Sequence, residues 1–193
     1  MNTSYQFKDF ISDLELITSV GSTDEDKIRK IQRKMKLLIS SGDFYSALNE
    51  RAKTPNTAHY ARYLLHQDAN GRFVVVSIVW GAGQGTPIHD HTIWGVAGIL
   101  KGELHIVNYD RLDDGQRPRH ADLRETSSML APAGTVLYVL PPNDEIHLLE
   151  NNTDQVTITL HVYGKQLTDC NQYKLEDCSC LPWQLNYEPV DVR

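Results

Sequence analysis

Over roughly the first fifty positions apolar residues recur at helical spacing, and from about Tyr60 they gather into short runs separated by turn-forming residues. Phe7, Phe10, Ile11 and Leu14, with Val20 beyond them, predict a helix over residues 4–20 with one apolar side. Ser22-Thr23-Asp24 supplies an N-cap for the next helix, because a short oxygen-bearing side chain accepts from the free N–H groups of a first turn. Ile28, Ile31, Met35 and Leu38 keep the same period, and the Lys and Arg residues towards the end suit the negative end of the helix dipole. Gly42 is the predicted stop, a third short helix is predicted over 44–51, and Pro55 closes the region.

Beyond Tyr60 the runs Arg72–Trp80 (RFVVVSIVW), Ile93–Leu100, Leu104–Tyr109, Thr135–Leu140 and Gln155–Tyr163 (QVTITLHVY) are rich in β-branched residues. Short strands at near-regular spacing predict an all-β sandwich or barrel. The polar stretch 110–127, with Asp113-Asp114-Gly115 and Arg117-Pro118, reads as a surface excursion. After Tyr163 the pattern fades, and an irregular cover is predicted. The chain is therefore expected to form one mainly β domain over 1–193: a helical cover (1–55), a β-barrel core (60–165) and a C-terminal cover (166–193).

Composition narrows the function. The hydrophobic share, 40%, is enough for a core, and the formal charge of −6 with no basic stripe argues against nucleic acid and anionic lipid as partners. No run approaches the ~20 apolar residues that cross a bilayer. The start, MNTSYQFKDFISDLEL, carries acids and no apolar signal core, so secretion is not expected. The three cysteines, Cys170, Cys178 and Cys180, are odd in number, which fits free thiols in a reducing cytoplasm. Cys178-Ser179-Cys180 is too tight and isolated for a zinc site.

The chemistry sits in GTPIHDHTIWGVAGILKG, Gly85 to Gly102. On an extended chain His89 and His91 point one way and Asp90 the other. Two neutral imidazoles on one face can share a metal, whereas two protonated ones repel. His147, entering a strand after Pro141-Pro142, is the best third leg, since a barrel would bring it opposite the first pair. His59, His66, His105 and His120 have no partner at ligand spacing and are expected to be solvated or structurally hydrogen-bonded. Trp80 and Trp94 are expected to line or flank the site as apolar walls, with core packing the simpler account of both.

Gly83, His89-Asp90-His91 and Gly102 resemble the first cupin motif, and Pro142, Asp144, His147 and Asn151 the second. Gly95 stands where that motif carries a Glu ligand, which leaves three neutral histidines. Tyr60-Ala61-Arg62, Trp94-Gly95, the segment ending His147-Leu148-Leu149-Glu150-Asn151, Thr159-Leu160-His161-Val162-Tyr163 and Cys170 together resemble the thiol dioxygenases of the cysteine dioxygenase type I family, in its bacterial form. The resemblance implies a small jelly-roll-like cupin β-barrel with N-terminal helices packed on it. It implies Fe(II) on His89, His91 and His147, and oxidation of a small thiol by O2 to its sulfinate. It implies Arg62, with Tyr60, on the substrate carboxylate, a guanidinium pairing with a carboxylate through two parallel hydrogen bonds. It gives Tyr163 and His161 catalytic roles supported by Thr159, and Gly95 leaves Tyr163 without the cysteine crosslink some relatives carry. Arg62 favours cysteine as substrate. The YLLH and HVYG wording and Gly164-Lys165 point instead to 3-mercaptopropionate, and mercaptosuccinate would also suit an arginine. Small thiol and O2 are the expected partners, with a monomer as the default.

Overall fold

The computed structural model describes residues 5–19 and 21–188. Val20 and the last five residues of the expected C-terminal cover lie outside the described residues. Three α-helices lead: α1 (Phe7–Ser19), α2 (Asp24–Ser40) and the short α3 (Asp43–Ala47), followed by a 3-10 turn at Glu50–Lys53. The third predicted helix is thus two pieces. Thr23 caps α2 by accepting from the Asp26 N–H, and Gly42, at φ +68°, follows the helix end. α2 buries Ile28, Ile31, Met35, Leu38 and Ile39 on one side, each such burial contributing about 1.5–3 kcal/mol.

Eleven strands follow among the described residues: β1 (Ala61–Gln67), β2 (Val74–Trp80), β3 (Ile88–His89), β4 (Gly95–Lys101), β5 (Glu103–Arg111), β6 (Leu123–Pro132), β7 (Val136–Val139), β8 (Ile146–Glu150), β9 (Thr157–Tyr163), β10 (Asp169–Lys174) and β11 (Ser179–Gln184). They form two antiparallel sheets, ordered β1-β2-β9-β4-β7 and β11-β10-β3-β8-β5-β6. This is the cupin barrel with its N-terminal helices packed on one sheet.

β2 and β9 are buried at every position, and the core clusters explain why. Val75, Val79, Ile158, Leu160 and Val162 pack outward against Phe10, Leu14, Ile31, Met35 and Leu38 of the helices. Val74, Val76, Ile78, Trp80 and Tyr163 face the barrel interior with Ile99, Leu104, Ile106 and Leu149. A strand covered on both faces has no reason to alternate apolar with polar residues. α2 lies close on β4 at Gly98, where an added Cβ would stand 2.9 Å from Met35 Cγ.

Three expectations are corrected. The excursion expected at 110–127 is shorter: β5 runs to Arg111 and β6 starts at Leu123, leaving 112–122 as the loop. β6 was hidden because it is exposed along almost its whole length, so burial imposes no period on it. The cover after Tyr163 is sheet, since β10 pairs with β3 and β11 pairs with β10. Of the two accounts of Trp94, core packing holds and the wall does not: it packs in the cluster under the helices. No helix among the described residues is long and apolar enough to cross a membrane.

Candidate metal centre

The sheet register builds the site. β3 lies between β10 and β8, and His89 is the direct cross-strand partner of His147. His91 lies two residues past His89, beyond the end of the strand, yet turns its ring to the same side. The ring centroids form a nearly equilateral triangle: 4.9 Å for His89–His91, 4.7 Å for His89–His147 and 4.8 Å for His91–His147. One nitrogen from each ring lies within 4.8 Å of the other two.

Hydrogen bonds fix which nitrogens are free. His89 Nδ1 is 3.0 Å from the Pro87 carbonyl and His91 Nδ1 is 3.1 Å from the Glu145 carbonyl. A carbonyl only accepts, so both Nδ1 atoms carry the proton and both Nε2 lone pairs are left over. His147 Nε2 is buried with no partner at all. Burial, and then the neighbouring histidines, holds His89 and His147 far below the usual imidazole range; burial brings His91 down to about 4. Three buried, neutral rings with converging unused lone pairs fit a divalent cation.

Asp90, pointing the opposite way, pins the metal strand to β10. Its carboxylate accepts from Asn171 N (2.7 Å), Asn171 Nδ2 (2.8 Å) and the Tyr173 hydroxyl (2.6 Å). On the far wall β9 places Thr159, His161 and Tyr163 on one face. Trp80 Nε1 donates to Thr159 Oγ1 at 3.0 Å, Thr159 Oγ1 is 2.7 Å from His161 Nε2, and His161 Nδ1 is 3.0 Å from the Tyr163 hydroxyl. Burial lowers the His161 pKa to about 3, so the ring is neutral and has one N–H. The indole already donates to Thr159, whose other outlet, the Ile78 carbonyl, is a poor 3.5 Å away. The better arrangement has Thr159 donate to Nε2 and Nδ1–H donate to Tyr163. The Tyr163 proton is then free for the cavity. Burial also raises the Tyr163 pKa, keeping it a phenol. An added Cβ on Gly95 would stand 2.9 Å from Tyr163 Cδ1, so the tyrosine ring occupies space only a glycine leaves.

Arg62, on β1, is 4% exposed. Its Nη2 donates to the Leu167 carbonyl (3.1 Å) and to the Tyr187 hydroxyl (3.2 Å), while Nη1 is buried and unpartnered. Among the described residues no carboxylate lies within ion-pair range of it. A buried cation without a counter-charge costs several kcal/mol, which an incoming anion would offset. Nη1 is thus the amino group of the guanidinium that no protein acceptor uses. Tyr60 stacks on Trp80 with centroids 4.8 Å apart, and burial pushes its hydroxyl up to about 12, with Arg62 pulling the other way.

All eight residues singled out from the sequence line one cavity of about 370 Å³ between the sheets. The sequence reading missed the partners of Asp90, the edge-on contact of Trp183 with His89 (5.4 Å), and Tyr187 against Arg62. These contacts carry no local signal. Of the other histidines, His59, His105 and His120 meet Tyr60 O, Glu150 with Ser128, and Asp122 respectively. His66 stacks on Phe73, and its Nε2 has no partner.

Fold and site together define a cupin with a three-histidine metal-binding triad. The chain belongs to the cysteine dioxygenase type I family, whose model matches residues 24–176. It is 27% identical over 122 residues to "Cysteine dioxygenase type 1" of Danio rerio, covering 59% of this chain and 55% of that protein. The protein of the same name from Rattus norvegicus is 28% identical over 118 residues, with the same coverage. The chain thus spans about 55% of the length of these curated relatives. Among solved structures, an RmlC-like cupin from Desulfovibrio desulfuricans is 25% identical with a TM-score of 0.41, covering 57% of this chain and 87% of that one. An oxalate oxidase in complex with glycolate is 20% identical with a TM-score of 0.47, covering 66% and 63%.

Proposed function

We propose that this chain is a non-haem iron thiol dioxygenase acting on a small thiol carboxylic acid, with cysteine favoured. The observation that carries the reading is the pairing, in one cavity, of three unused imidazole lone pairs with an unpartnered guanidinium nitrogen. The family to which the chain belongs supports it. His89, His91 and His147 would hold Fe(II). Bound there, ferrous iron would supply the redox chemistry that takes a thiol and O2 to a sulfinate, with the thiol as its own electron source.

The protein's residues do the rest. Arg62 Nη1 binds the substrate carboxylate and offsets its own burial, and Tyr60 stands beside it as a second hydrogen-bonding group. Tyr163 offers its hydroxyl proton to the reacting end of the cavity. His161 holds that proton outward by donating to the tyrosine oxygen, and Thr159 and Trp80 hold His161 in the required tautomer. Ile78, Leu149 and the Trp80 ring keep bulk water away from the reacting atoms.

Metal analysis and oxygen consumption over cysteine, 3-mercaptopropionate, mercaptosuccinate and cysteamine test the reading. Stoichiometric iron and sulfinate formation from an acidic thiol are expected. Arg62→Ala should retain iron and lose most turnover of acidic thiols; equal turnover would sink the carboxylate role. His147→Ala should lose iron, and full iron retention would show that the third ligand is wrong. The cavity of about 370 Å³ admits 3-mercaptopropionate, which is cysteine without its amine, and leaves room for the larger mercaptosuccinate, so both stay as the alternative substrates.

A further inference from the structure

Arg62 is the single buried Lys or Arg among the described residues, and what orients it comes from over a hundred positions away. The Tyr187 ring lies against the guanidinium, with Cζ 4.3 Å from the ring centroid. The Tyr187 hydroxyl accepts from Nη2 at 3.2 Å and itself donates to the Leu167 carbonyl at 3.3 Å. Nη2 reaches the same carbonyl at 3.1 Å, so tyrosine, guanidinium and carbonyl close a triangle. Both hydrogens of Nη2 are thereby used on protein, and Nη1 is the buried amino group left without a protein partner, on a residue that lines the cavity.

The segment carrying Tyr187 is fastened on both sides. Leu185 N donates to the Thr168 carbonyl at 2.8 Å, and Glu188 N donates to the carbonyl of Arg62 itself at 2.7 Å. Glu188 also bridges to Tyr63 on β1, and its Oε1 accepts from Asn56 Nδ2 at 3.3 Å. Leu185 reaches the cavity wall. A long, rotamer-rich arginine is thus held by an aromatic face on one side and by two acceptors at one amino group. Stacking of this kind is stronger where water is excluded, and it fixes a plane as well as a position.

We infer that Tyr187, carried by residues 185–188, is the positioning residue of the acid subsite: it fixes the Arg62 guanidinium so that Nη1 alone faces the cavity, and in doing so it selects thiols that bear a carboxylate. The inference rests on the proposed function for its substrate class, but the geometry it uses is independent of the metal.

Two measurements test it on the whole chain. In steady-state oxygen consumption, Tyr187→Ala should raise KM for an acidic thiol about tenfold while kcat changes much less, and KM for cysteamine, which has no carboxylate, should not move. Tyr187→Phe, which keeps the ring and loses the hydroxyl, should fall between wild type and Tyr187→Ala, and it serves if the alanine variant folds poorly. A merely structural residue would depress all thiols alike. The second measurement is anaerobic calorimetry with 3-mercaptopropionate, which needs no turnover. The same order of affinities is expected, with Arg62→Ala weakest and iron content equal in wild type and both Tyr187 variants. Binding in this order without any oxygen consumption would remove the dioxygenase reading and leave Tyr187 in its role. Unchanged affinity and KM in both Tyr187 variants, parallel losses with cysteamine, or no binding of the acid by wild type would overturn it.

Discussion

At the residue scale the site depends on which atom holds each proton. Carbonyl acceptors at Pro87 and Glu145 direct two imidazole lone pairs inward, and an indole N–H across the cavity sets the direction of a second chain of hydrogen bonds ending at Tyr163. Trp80→Phe removes that N–H but keeps most of the wall. Thr159 then loses its donor, the His161 tautomer is no longer fixed, and kcat should fall about tenfold with iron content unchanged. Equal kcat in wild type and the variant would show that the direction of the relay has no consequence. Gly95→Ala probes the same tyrosine sterically. The new methyl meets Tyr163 Cδ1 at 2.9 Å and Val139 Cγ2 at 3.1 Å, so either the ring or the strand must yield. Overpacking of this kind costs about 1–3 kcal/mol, and a urea titration should show it together with a loss of turnover.

At the scale of elements, the two-residue strand β3 is too short to hold its own geometry and borrows it from both neighbours. Asp90 makes the borrowing firm on the β10 side. Asp90→Ala leaves a backbone N–H, an amide and a phenol without their acceptor, and about 3 kcal/mol of stability should be lost on chemical denaturation. Metal affinity should weaken in the same variant although no ligand is touched, and unaltered affinity would mean that β8 alone sets the ligand geometry. The elements also show where the sequence could be read. Helix α2 was legible because one face is buried and the period follows. β2 and β9 were legible as apolar runs because both faces are covered. β6 was not, since solvent on both sides imposes no pattern; nor were β10 and β11, a local hairpin of largely polar, half-exposed residues whose seat on β3 is made about 80 positions away. The same division holds within the site. His89 and His91 announced themselves by spacing, while the Asp90–Asn171 contact spans 81 positions and the Arg62–Tyr187 contact spans 125, and no local motif encodes either.

At the scale of the whole molecule, burying four neutral histidines ties stability to pH. Burial holds His91 down to about 4 and His161 to about 3, and His89 and His147 are depressed as well, whereas in the unfolded chain each would titrate near 6.5. Below about pH 6.5 the unfolded chain takes up protons that the folded chain refuses. Stability of the metal-free protein should therefore be full above pH 6.5 and fall as pH drops towards about 4, by roughly a few kcal/mol in all. Urea midpoints at pH 7.5 and 5.0 check the sign, and a higher midpoint at the lower pH would contradict it.

The register that seats His89 against His147 has a consequence for the order of events in the life of the chain. The two residues become neighbours only once β3 and β8 have paired, and β8 in turn leans on β5. The complete three-ligand seat exists only in the paired sheet, so the ion is expected to bind after the barrel closes rather than to seed it, as it does in small zinc-dependent modules. Refolding should run at the same speed with or without ferrous salt, while unfolding slows when the ion is bound.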